Sequence, residues 1–304
     1  MEIAILLTCH NRREKTVCCL KSLKKAIVRY NKVVDNECIR FQIFLADDGC
    51  TDGTSEAVRN IFPDDNILHI LQGDGNLFWA GGMRFCWEEA MKHNAEWDYY
   101  LLINDDTIIL ENVFTELLYA EQYAIKKFGK KGVVSGTTCA INNPTKMTYG
   151  GDVWVNKFLA KSKPLVSNGE PQLCDLTNAN ILLVPTEIVE HIGIFYAGFQ
   201  HGQADYDYSN SVRKAGYPVV ITANFCGRCD NDHLDTNELA QKVIGMSLKE
   251  RKVFFNNPIH SSRDYLRFVR RISPFRVPLV WIGRKFNLYF PKLYYHISNK
   301  RREL

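Results

Sequence analysis

The stretch Tyr99–Leu110, "YYLLINDDTIIL", decides the fold, because it places two carboxylates directly after a short apolar run. Tyr99 to Ile103 have the uninterrupted apolar pattern of a strand that is covered on both faces in a parallel sheet. Adjacent carboxylates such as Asp105 and Asp106 repel each other, and burying them without a partner is costly. Ligands of open α/β sheets bind where the strands end. The stretch therefore predicts either a divalent-cation site or, alternatively, a solvated turn that leads into the next helix.

The sequence on both sides of this stretch alternates between strand and helix patterns. Ile3–Thr8, Phe41–Ala46 and Asn66–Gln72 have the short apolar runs of buried strands, and Val113–Phe128 has the pattern of a long helix. A repeated strand–loop–helix order is typical of α/β proteins, in which helices cover both faces of a sheet. We therefore predict a doubly wound, mostly parallel sheet with flanking helices, followed after about residue 133 by shorter strands and turns.

Polar groups end three of the predicted strands. They are Thr8–Asn11, Asp47–Gly49 and Asn104–Asp106. Because the C-terminal ends of parallel strands share one edge of the sheet, these groups are expected to meet in one crevice. That convergence favours a binding site over three unrelated solvated turns.

The charge of the chain is divided unevenly. The 304 residues include 38 Lys or Arg and 34 Asp or Glu, which gives a net charge of +4. Residues 251–304 hold 13 basic and two acidic residues, net +11, whereas residues 1–250 hold 25 and 32, net −7. The C-terminal segment therefore differs in charge from the body and is expected to have a different environment.

Targeting signals and cysteines give mainly negative information. The chain has no run of eighteen apolar residues and starts on a strand-like segment without a basic n-region, so neither a spanning helix nor a secretory signal is expected. The ten scattered cysteines are expected to be reduced thiols. Cys226-Gly-Arg-Cys229 lacks a second pair at zinc-finger spacing, so we interpret it as two structural thiols rather than a zinc site.

The Gly-rich stretch "GDGNLFWAGG" (residues 73–82) disfavours an ATPase or a dehydrogenase. It lacks the Gly-Lys-Ser/Thr of a P-loop, and it does not follow the first strand as a dinucleotide fingerprint does. Asp105-Asp106-Thr107 also lacks the Asp-x-Asp spacing of aspartyl-phosphate phosphatases. A carboxylate pair without a phosphate-cradling loop suits a ligand whose phosphates are neutralised by a metal, such as a nucleoside diphosphate joined to another group.

Four blocks in order resemble the family-2 glycosyltransferases of the GT-A fold. They are "AILLTCHNR" (4–12), "LADDGCTDGT" (45–54), "LLINDDT" (101–107) and "GFQHGQADYDYSNSVRKAGY" (198–217), and the similarity extends over residues 3–229. "GDGNLFWAGGMRFCWEEA" (73–90) also resembles a rhamnosyltransferase-like subgroup associated with bacterial surface-polysaccharide assembly. The resemblance implies a transferase that uses a UDP- or dTDP-sugar and a divalent cation, Mn²⁺ or Mg²⁺.

The resemblance assigns donor-side roles to the strand ends and the Gly-rich loop. Asp48 and Thr8 are expected to contact the base, whereas Asp47 supports the turn. Asp106 is expected to bind the metal, and Asp105 to reach the ribose or assist. Gly81 and Gly82 are expected to precede the helix of "MRFCWEEAMKH" (83–93), where backbone N–H groups meet phosphate, with close helix–sheet packing as the alternative. Trp79 is expected to line the donor site, with burial in the core as the alternative.

The fourth block supplies the acceptor-side candidates. Asp205 matches the general base of the family. Ala204 stands where the family usually has Glu, so the resemblance assigns no role to position 204. Asp207 keeps the usual spacing and is expected to pair with Arg213 or Lys214 on the same helix. Two histidines are candidate late metal ligands, with a solvated side chain as the alternative for each: His233 and His201.

These assignments predict an inverting transfer in which the metal neutralises the leaving diphosphate and Asp205 deprotonates an acceptor hydroxyl. We predict a GT-A catalytic domain at 1–250, with a nucleotide-binding half (1–132) and an acceptor half (133–250), and a basic aromatic helical appendage at 251–304. The appendage is expected to associate with the cytoplasmic face of an anionic membrane and to serve a glycan or lipid-linked acceptor. Its cations are expected to contact the lipid, and its aromatic side chains to insert into it: Phe268, Phe275, Trp281, Phe286, Tyr289 and Phe290. Simple packing on the body is the alternative. Interleaved aromatic and basic residues can also bind nucleic acid, but no nucleic-acid partner is expected.

Two other classes of function are compatible with parts of the pattern. A sugar-nucleotide hydrolase or a nucleotidyltransferase would use the same metal site without needing Asp205 as a base. A non-catalytic nucleotide-binding module would use the C-terminal segment as an interaction surface. The presence of Asp105, Asp106 and Asp205 argues against such a module.

Overall fold

The structure is a computed structural model that describes residues 1–34, 38–93, 96–231, 236–260 and 262–303. The strands are β1 Glu2–Cys9, β2 Arg40–Asp47, β3 Leu68–Gln72, β4 Tyr99–Ile103, β5 Ile108–Ile109, β6 Val133–Ser135, β7 Thr138–Ala140, β8 Asn143–Tyr149, β9 Gly151–Asn156, β10 Lys161–Pro164, β11 Gln172–Leu173, β12 Leu176–Thr177, β13 Ile181–Pro185, β14 Val219–Ile221 and β15 Gly227–Arg228. The helices are α1 Arg13–Val33, α2 Thr54–Arg59, α3 Phe78–Lys92, α4 Val113–Phe128, α5 Thr186–Ile192, α6 Ala204–Lys214, α7 Thr236–Gly245, α8 Leu248–Asn256, α9 Ser262–Ile272, α10 Val277–Tyr289 and α11 Pro291–Glu303.

An eight-stranded sheet with the order β11-β14-β6-β13-β4-β1-β2-β3 forms the centre of the fold. Strands β1 to β4 pair in parallel, as do β6 and β14, whereas β13 is antiparallel to both of its neighbours. Ile181 of β13 lies opposite Ile103 of β4, so the residues before β13 lie at the sheet edge where β4 ends. The predicted fold class is confirmed, and the antiparallel β13 brings a further loop to the predicted crevice.

Helices cover both faces of this sheet, because successive side chains of a strand point to opposite faces. Ile3, Ile5 and Leu7 of β1 pack in a cluster with α1 and α4, whereas Ala4 and Leu6 pack in a second cluster with α3 and α6. Strands β1 and β4 are buried on both faces, which is why their sequences are continuously apolar rather than alternating.

Helix α9 packs into the second core cluster, although it lies in the basic C-terminal segment. The side chains of Phe268 and Val269 are buried, and the ring of Phe268 lies 6.2 Å from that of Tyr206 on α6. We predicted Phe268 as one of the aromatic residues that insert into lipid, and this was wrong, because the core of the body covers its side chain. The structure thus joins α9 to the body, whereas the boundary at residue 250 stays a prediction.

The remaining C-terminal helices form a separate small cluster. Buried side chains of α7 and α11 pack together at Ala240, Val243 and Tyr295, with partly buried aromatic residues of α8 around them. Short 3₁₀ turns at Pro258–His260 and Pro274–Arg276 separate the helices of this region. Within the described ranges, no helix has both the length and the hydropathy that crossing a bilayer requires.

Candidate functional site

Asp105 and Asp106 lie together at the end of β4, as predicted, and the residue that contacts both is Arg12. The guanidinium is 3.1 Å from Asp105 Oδ1 and also contacts Asp106 Oδ2 closely. Thr16 Oγ1 donates to Asp105 Oδ2 at 3.2 Å. Arg12 follows the end of β1, so two neighbouring strands supply the opposite charges. From the sequence we predicted a divalent cation beside these carboxylates, and the contact with Arg12 was not predicted.

The two carboxylates of this pair have different environments. Asp105 is almost completely buried, and burial raises its pKa to about 6, although the charge of Arg12 and the Thr16 hydroxyl lower it. The side chain of Asp106 is 17% exposed. The Cys229 thiol donates to Asp106 Oδ1 across 3.6 Å, and Asn180 Nδ2 donates to Cys229 Sγ at the same distance. Asp106 is thus the more accessible carboxylate.

A cavity of about 270 Å³ opens beside Asp106. Its lining includes the carboxyl-bearing residues Glu14 and Asp230 as well as Cys229. A larger cavity of about 430 Å³ lies between α1 and the segment before β3, and none of its lining residues is a predicted site residue. The smaller cavity is therefore the one that contains a predicted metal ligand, Asp106.

Asp47 and Asp48 both stabilise loops at the end of β2. Asp47 accepts hydrogen bonds from the backbone N–H of Cys50, at 2.7 Å, and from the Ser55 hydroxyl, which agrees with its expected structural role. Asp48 is buried and accepts three backbone N–H bonds from the Gly-rich loop: Gly75 at 2.8 Å, Leu77 at 3.2 Å and Phe78 at 3.0 Å. The base contact assigned to Asp48 stays a prediction, since the structure shows its carboxylate bound to this loop.

Helix α3 begins at Phe78, several residues earlier than predicted, so Gly81 and Gly82 lie inside the helix rather than before it. The carboxylate of Asp48 binds the N–H groups at the start of the helix, where it offsets the positive end of the helix dipole. Gly81 N–H approaches the carbonyl of Gln200 at 3.4 Å. The prediction that these two glycines precede the helix was therefore wrong.

Gly82 allows α3 to approach the end of β1 closely. A Cβ atom at this position would lie 2.2 Å from Thr8 Oγ1, which no real contact allows, whereas one at Gly81 would make ordinary contacts at 3.5 Å and beyond. Thr8 is buried, and its hydroxyl is 3.4 Å from the carbonyl oxygen of Ala46. Packing therefore accounts for Gly82, and a donor contact of Thr8 remains a prediction.

Trp79 links the Gly-rich segment to the end of β4. Its indole N–H donates to Asn104 Oδ1 at 2.7 Å, and its ring lies 5.6 Å from that of Phe195. The side chain is only partly buried. Trp79 thus contacts the residue next to the Asp105–Asp106 pair, whereas a contact with the donor stays a prediction.

Asp205 lies at the first turn of α6, beside the loop that precedes β13. Its Oδ1 accepts the N–H of Tyr206 at 2.9 Å, and its Oδ2 accepts the N–H of Ala179 at 3.3 Å. The next residue of that loop, Asn180, accepts the N–H of Asn104 at 3.1 Å. The consecutive residues Ala179 and Asn180 therefore connect Asp205 to Asn104, which directly precedes the carboxylate pair. Burial raises the pKa of Asp205 to about 6, and the charge of Asp152 adds to the increase.

The family model described as "Glycosyl transferase family 2" matches residues 4–162, about half of the chain. This chain belongs to glycosyl transferase family 2. No curated protein sequence matches it. The family predicted from the sequence blocks is therefore confirmed for this transferase. The rhamnosyltransferase-like subgroup stays a prediction.

Solved structures, among them a mannosyltransferase, have the same fold at low sequence identity. The mannosyltransferase PcManGT from Pyrobaculum calidifontis, in complex with GDP-Man and Mn²⁺, is 12% identical with a TM-score of 0.52, covering 98% of this chain and 83% of that one. GalNAc-T7 with UDP, GalNAc and Mn²⁺ is 13% identical with a TM-score of 0.61, covering 95% and 52%. S. aureus TarS 1–349 is 12% identical with a TM-score of 0.51, covering 97% and 88%. These similarities establish the GT-A architecture.

The residues around Asp106 in the transferase fit a hard divalent cation. Carboxylate oxygens are the ligands that Mg²⁺ and Mn²⁺ prefer, and such ions are often held by one or two carboxylates together with substrate phosphates. In the part of the chain that the structure describes, no group of three or more His, Cys, Asp or Glu side chains is arranged around a common centre.

Of the two histidines predicted as late metal ligands, His233 lies outside the described residues. The backbone N–H of His201 donates to Asp264, and its ring lies 6.4 Å from that of Phe78.

The loop before Asp205 in the transferase is held by α9. Asp264 Oδ2 accepts the N–H groups of Gln200, His201 and Gly202 at 3.1, 2.8 and 3.2 Å. The Asp264 side chain is buried, and its Oδ1 accepts from Arg267 at 2.9 Å. Sequence reasoning missed this residue, because Asp264 is about 60 residues from the loop and no local pattern signals the contact.

Asp207 also has its partner on α9 rather than on its own helix. Arg271 Nε donates to Asp207 Oδ1 at 2.6 Å, and the guanidinium lies 4.4 Å from the ring centroid of Tyr196. We predicted pairing with Arg213 or Lys214, and the contact with Arg271 replaces it. Burial raises the pKa of Asp207, which the bond to Arg271 and the charge of Lys214 oppose. Helix α9 thus contacts the loop before α6 through Asp264 and the first turn of α6 through Arg271.

Proposed function

We propose that the enzyme transfers a sugar from a nucleoside-diphosphate sugar, with UDP or dTDP as the nucleotide, to a glycan hydroxyl with inversion of configuration. The observation that carries the proposal is the junction of two carboxylate sites at one sheet edge. Asp106 lies at the end of β4, and Asp205 binds the loop that pairs with the same strand end. A donor diphosphate at the first site would present its sugar towards the second.

The donor side is proposed to consist of Thr8, Asp48, Trp79 and the Asp105–Asp106 pair. Asp106 would hold Mn²⁺ or Mg²⁺, with Asp105 behind it, and the bound ion would supply Lewis acidity towards the leaving diphosphate. Two of the structural neighbours are complexes with Mn²⁺ and a nucleotide or nucleotide sugar, which supports this assignment.

The acceptor side is proposed to use Asp205 as the general base. A carboxylate whose pKa is about 6 is ionised at neutral pH and is still basic enough to accept a proton as the acceptor hydroxyl attacks the anomeric carbon. Direct attack by the acceptor displaces the diphosphate in one step and inverts the configuration. Holding the two substrates in line supplies much of the acceleration.

We further propose that the donor sugar is a hexose or rhamnose and that the acceptor is lipid-linked, in surface-polysaccharide synthesis at the cytoplasmic face of a membrane. The resemblance of residues 73–90 to a rhamnosyltransferase-like subgroup supports the sugar, and the net charge of +11 in residues 251–304 supports the membrane. The first test is to incubate the protein with UDP- and dTDP-sugars, Mn²⁺ and lipid-linked acceptors, and to identify the products. Release of free sugar without transfer to any acceptor would contradict the proposal and favour a hydrolase.

The base and the metal site are tested separately. We expect Asp205→Asn to keep donor binding and to lower the transfer rate by a factor of about 10²–10⁴, because the amide cannot accept a proton. We expect Asp106→Ala to lose the Mn²⁺-dependent part of UDP binding in calorimetric titrations. Asp65→Asn is the matched control, because Asp65 is a highly exposed carboxylate on the surface. Near-normal transfer by Asp205→Asn, or UDP affinity that neither Mn²⁺ nor Asp106→Ala changes, would rule out the corresponding role.

A further inference from the structure

Two distant parts of the chain form one exposed apolar surface. The tip of the β9–β10 hairpin meets the junction between α9 and α10: the rings of Phe158 and Phe275 stack with centroids 3.9 Å apart, and Ser273 Oγ donates to the carbonyl of Phe158 at 2.5 Å. The guanidinium of Arg276 also binds the carbonyl of Leu159. Nevertheless, 66% of Phe158 and 50% of Phe275 remain exposed. The contact thus presents both rings to solvent instead of burying them.

The apolar surface continues along α10. Phe275 lies in the 3₁₀ turn directly before α10, and three exposed apolar residues follow it. Leu279 and Ile282 are three residues apart on α10, so helical periodicity places them on one face, and Phe290 follows the last residue of the helix. All three side chains are exposed, Leu279 at 70%. We call the surface formed by Phe158, Leu159, Phe275, Leu279, Ile282 and Phe290 the docking face. Soluble monomers rarely expose large groups of apolar side chains, and such groups mark sites of interaction.

The surroundings of the docking face are basic. Exposed cations on the hairpin and the C-terminal helices include Lys157, Lys161, Lys163, Arg270 and Lys292. Acidic residues are few: the hairpin sequence 151–164 contains Asp152 alone, and of the two in residues 251–304 Asp264 is buried. At least five of the thirteen cations of that segment bind groups of the protein itself: Arg251, Arg267, Arg271, Arg276 and Arg284.

The basic charge and the exposed apolar side chains of the docking face together favour a lipid surface over a second copy of the chain. Two copies of the chain that met through this face would bring like charges together, which disfavours a dimer. An apolar stripe flanked by Lys and Arg suits the boundary between headgroups and acyl chains, where aromatic and aliphatic side chains insert and the cations contact anionic lipids. We propose that the docking face binds the surface of an anionic lipid bilayer.

Helix α9 connects the docking face to the catalytic half. Its first turn holds the loop before Asp205 through Asp264, and its last residues lead to Ser273 and Phe275. An 11-residue helix is about 16 Å long. A bilayer at the docking face would therefore lie about one length of α9 from the loop before Asp205, and we expect the glycan of a membrane-embedded acceptor to span that distance. The use of this proximity by a lipid-linked acceptor rests on the proposed function, whereas lipid binding itself does not.

The test is sedimentation of the full chain with vesicles of phosphatidylglycerol and phosphatidylcholine, without nucleotide or acceptor. We expect binding to vesicles rich in phosphatidylglycerol, at least tenfold weaker binding to pure phosphatidylcholine, and weakening but not abolition by salt. Leu279→Glu and Ile282→Glu are each expected to reduce binding at least tenfold. Val33→Glu is the matched control, because Val33 is 63% exposed on α1, outside the docking face.

Folding of each variant is checked by circular dichroism, and self-association by analytical ultracentrifugation. Wild-type protein that stays in the supernatant with anionic vesicles at low salt would overturn the proposal. So would equal effects of Leu279→Glu and Val33→Glu, or a wild-type dimer that Leu279→Glu converts to a monomer. Because no sugar is present, a failure here is distinguishable from a failure of sugar transfer, which is measured separately with a water-soluble acceptor.

Discussion

Removing the Asp264 carboxylate is predicted to loosen the loop that carries the proposed base. Asp264→Ala leaves the N–H groups of Gln200, His201 and Gly202 without their acceptor. Hydrogen bonds to a charged acceptor contribute roughly 1.5–3 kcal/mol each. These three share one oxygen and the loop can relax, so we expect a total loss of about 3 kcal/mol rather than the sum.

A local loss of about 3 kcal/mol corresponds to roughly 100-fold faster amide exchange at residues 200–202. If the whole body is affected, the Tm is expected to fall by about 6 °C. Hydrogen–deuterium exchange measured by mass spectrometry separates the two cases, because it reports the loop peptide independently of the core strands. The transfer rate is expected to fall as well, since Asp205 follows the loop by three residues.

Arg267→Ala is the control for this prediction. It removes the ion partner of Asp264 but leaves the acceptor of the three N–H groups, and Arg267 is largely exposed. A partly exposed ion pair of this kind is expected to contribute no more than about 1 kcal/mol. Wild-type exchange rates at residues 200–202 in Asp264→Ala, or the same acceleration in Arg267→Ala, would refute the assigned role of Asp264.

Three further predictions test the base, the helix packing and the C-terminal helix. The raised pKa of Asp205, about 6 against about 3.9 in an unfolded chain, means that the folded state binds the proton more tightly between pH 4 and 6, so the ionised carboxylate lowers stability above pH 6. Asp205→Asn is therefore expected to unfold at a higher temperature than wild type at pH 7.5 but not at pH 4. The transfer rate of the wild type should rise with pH through about 6. If the variant and the wild type unfolded at the same temperature at pH 7.5 as well as at pH 4, this prediction would be contradicted. Gly82→Ala should destabilise the protein by about 1–3 kcal/mol in urea titrations because its Cβ meets Thr8, whereas Gly81→Ala should be neutral or slightly stabilising, and the idea fails if the two variants behave alike. Phe268→Ala should cost about 3–5 kcal/mol of unfolding free energy and Phe275→Ala less than about 1, and a small effect of Phe268→Ala would argue that α9 does not belong to the core.

The sequence was sufficient for the order of the elements and for the location of the carboxylates. Apolar periodicity is a local property, and it predicted the parallel strands β1 to β4 and the helix at Val113–Phe128. The edge at which Thr8, Asp48 and Asp106 meet followed from the general rule that parallel strands end together. These predictions needed no knowledge of which distant side chains form pairs.

The features that the sequence did not reveal depend on partners far apart in the chain. Helix α3 begins at Phe78 because Asp48, 30 residues earlier, binds its first N–H groups. Helix α9 is rich in Arg and was interpreted as a surface segment, yet Phe268 and Asp264 on its buried side complete the core and a loop more than 60 residues away. Arg12 and Cys229 reached Asp106 in the same way, through tertiary contacts that no spacing encodes.

The three bonds that Asp48 accepts have a consequence for the energetics of the proposed donor site. A Gly-rich loop that was ordered only by its ligand would lose conformational entropy at the moment of binding, at roughly 1–2 kcal/mol per residue fixed. Here Gly75, Leu77 and Phe78 are anchored by a side chain of the protein itself. The ordering cost of these residues therefore belongs to folding, and the interaction energy of the donor is available for affinity rather than for shaping the loop.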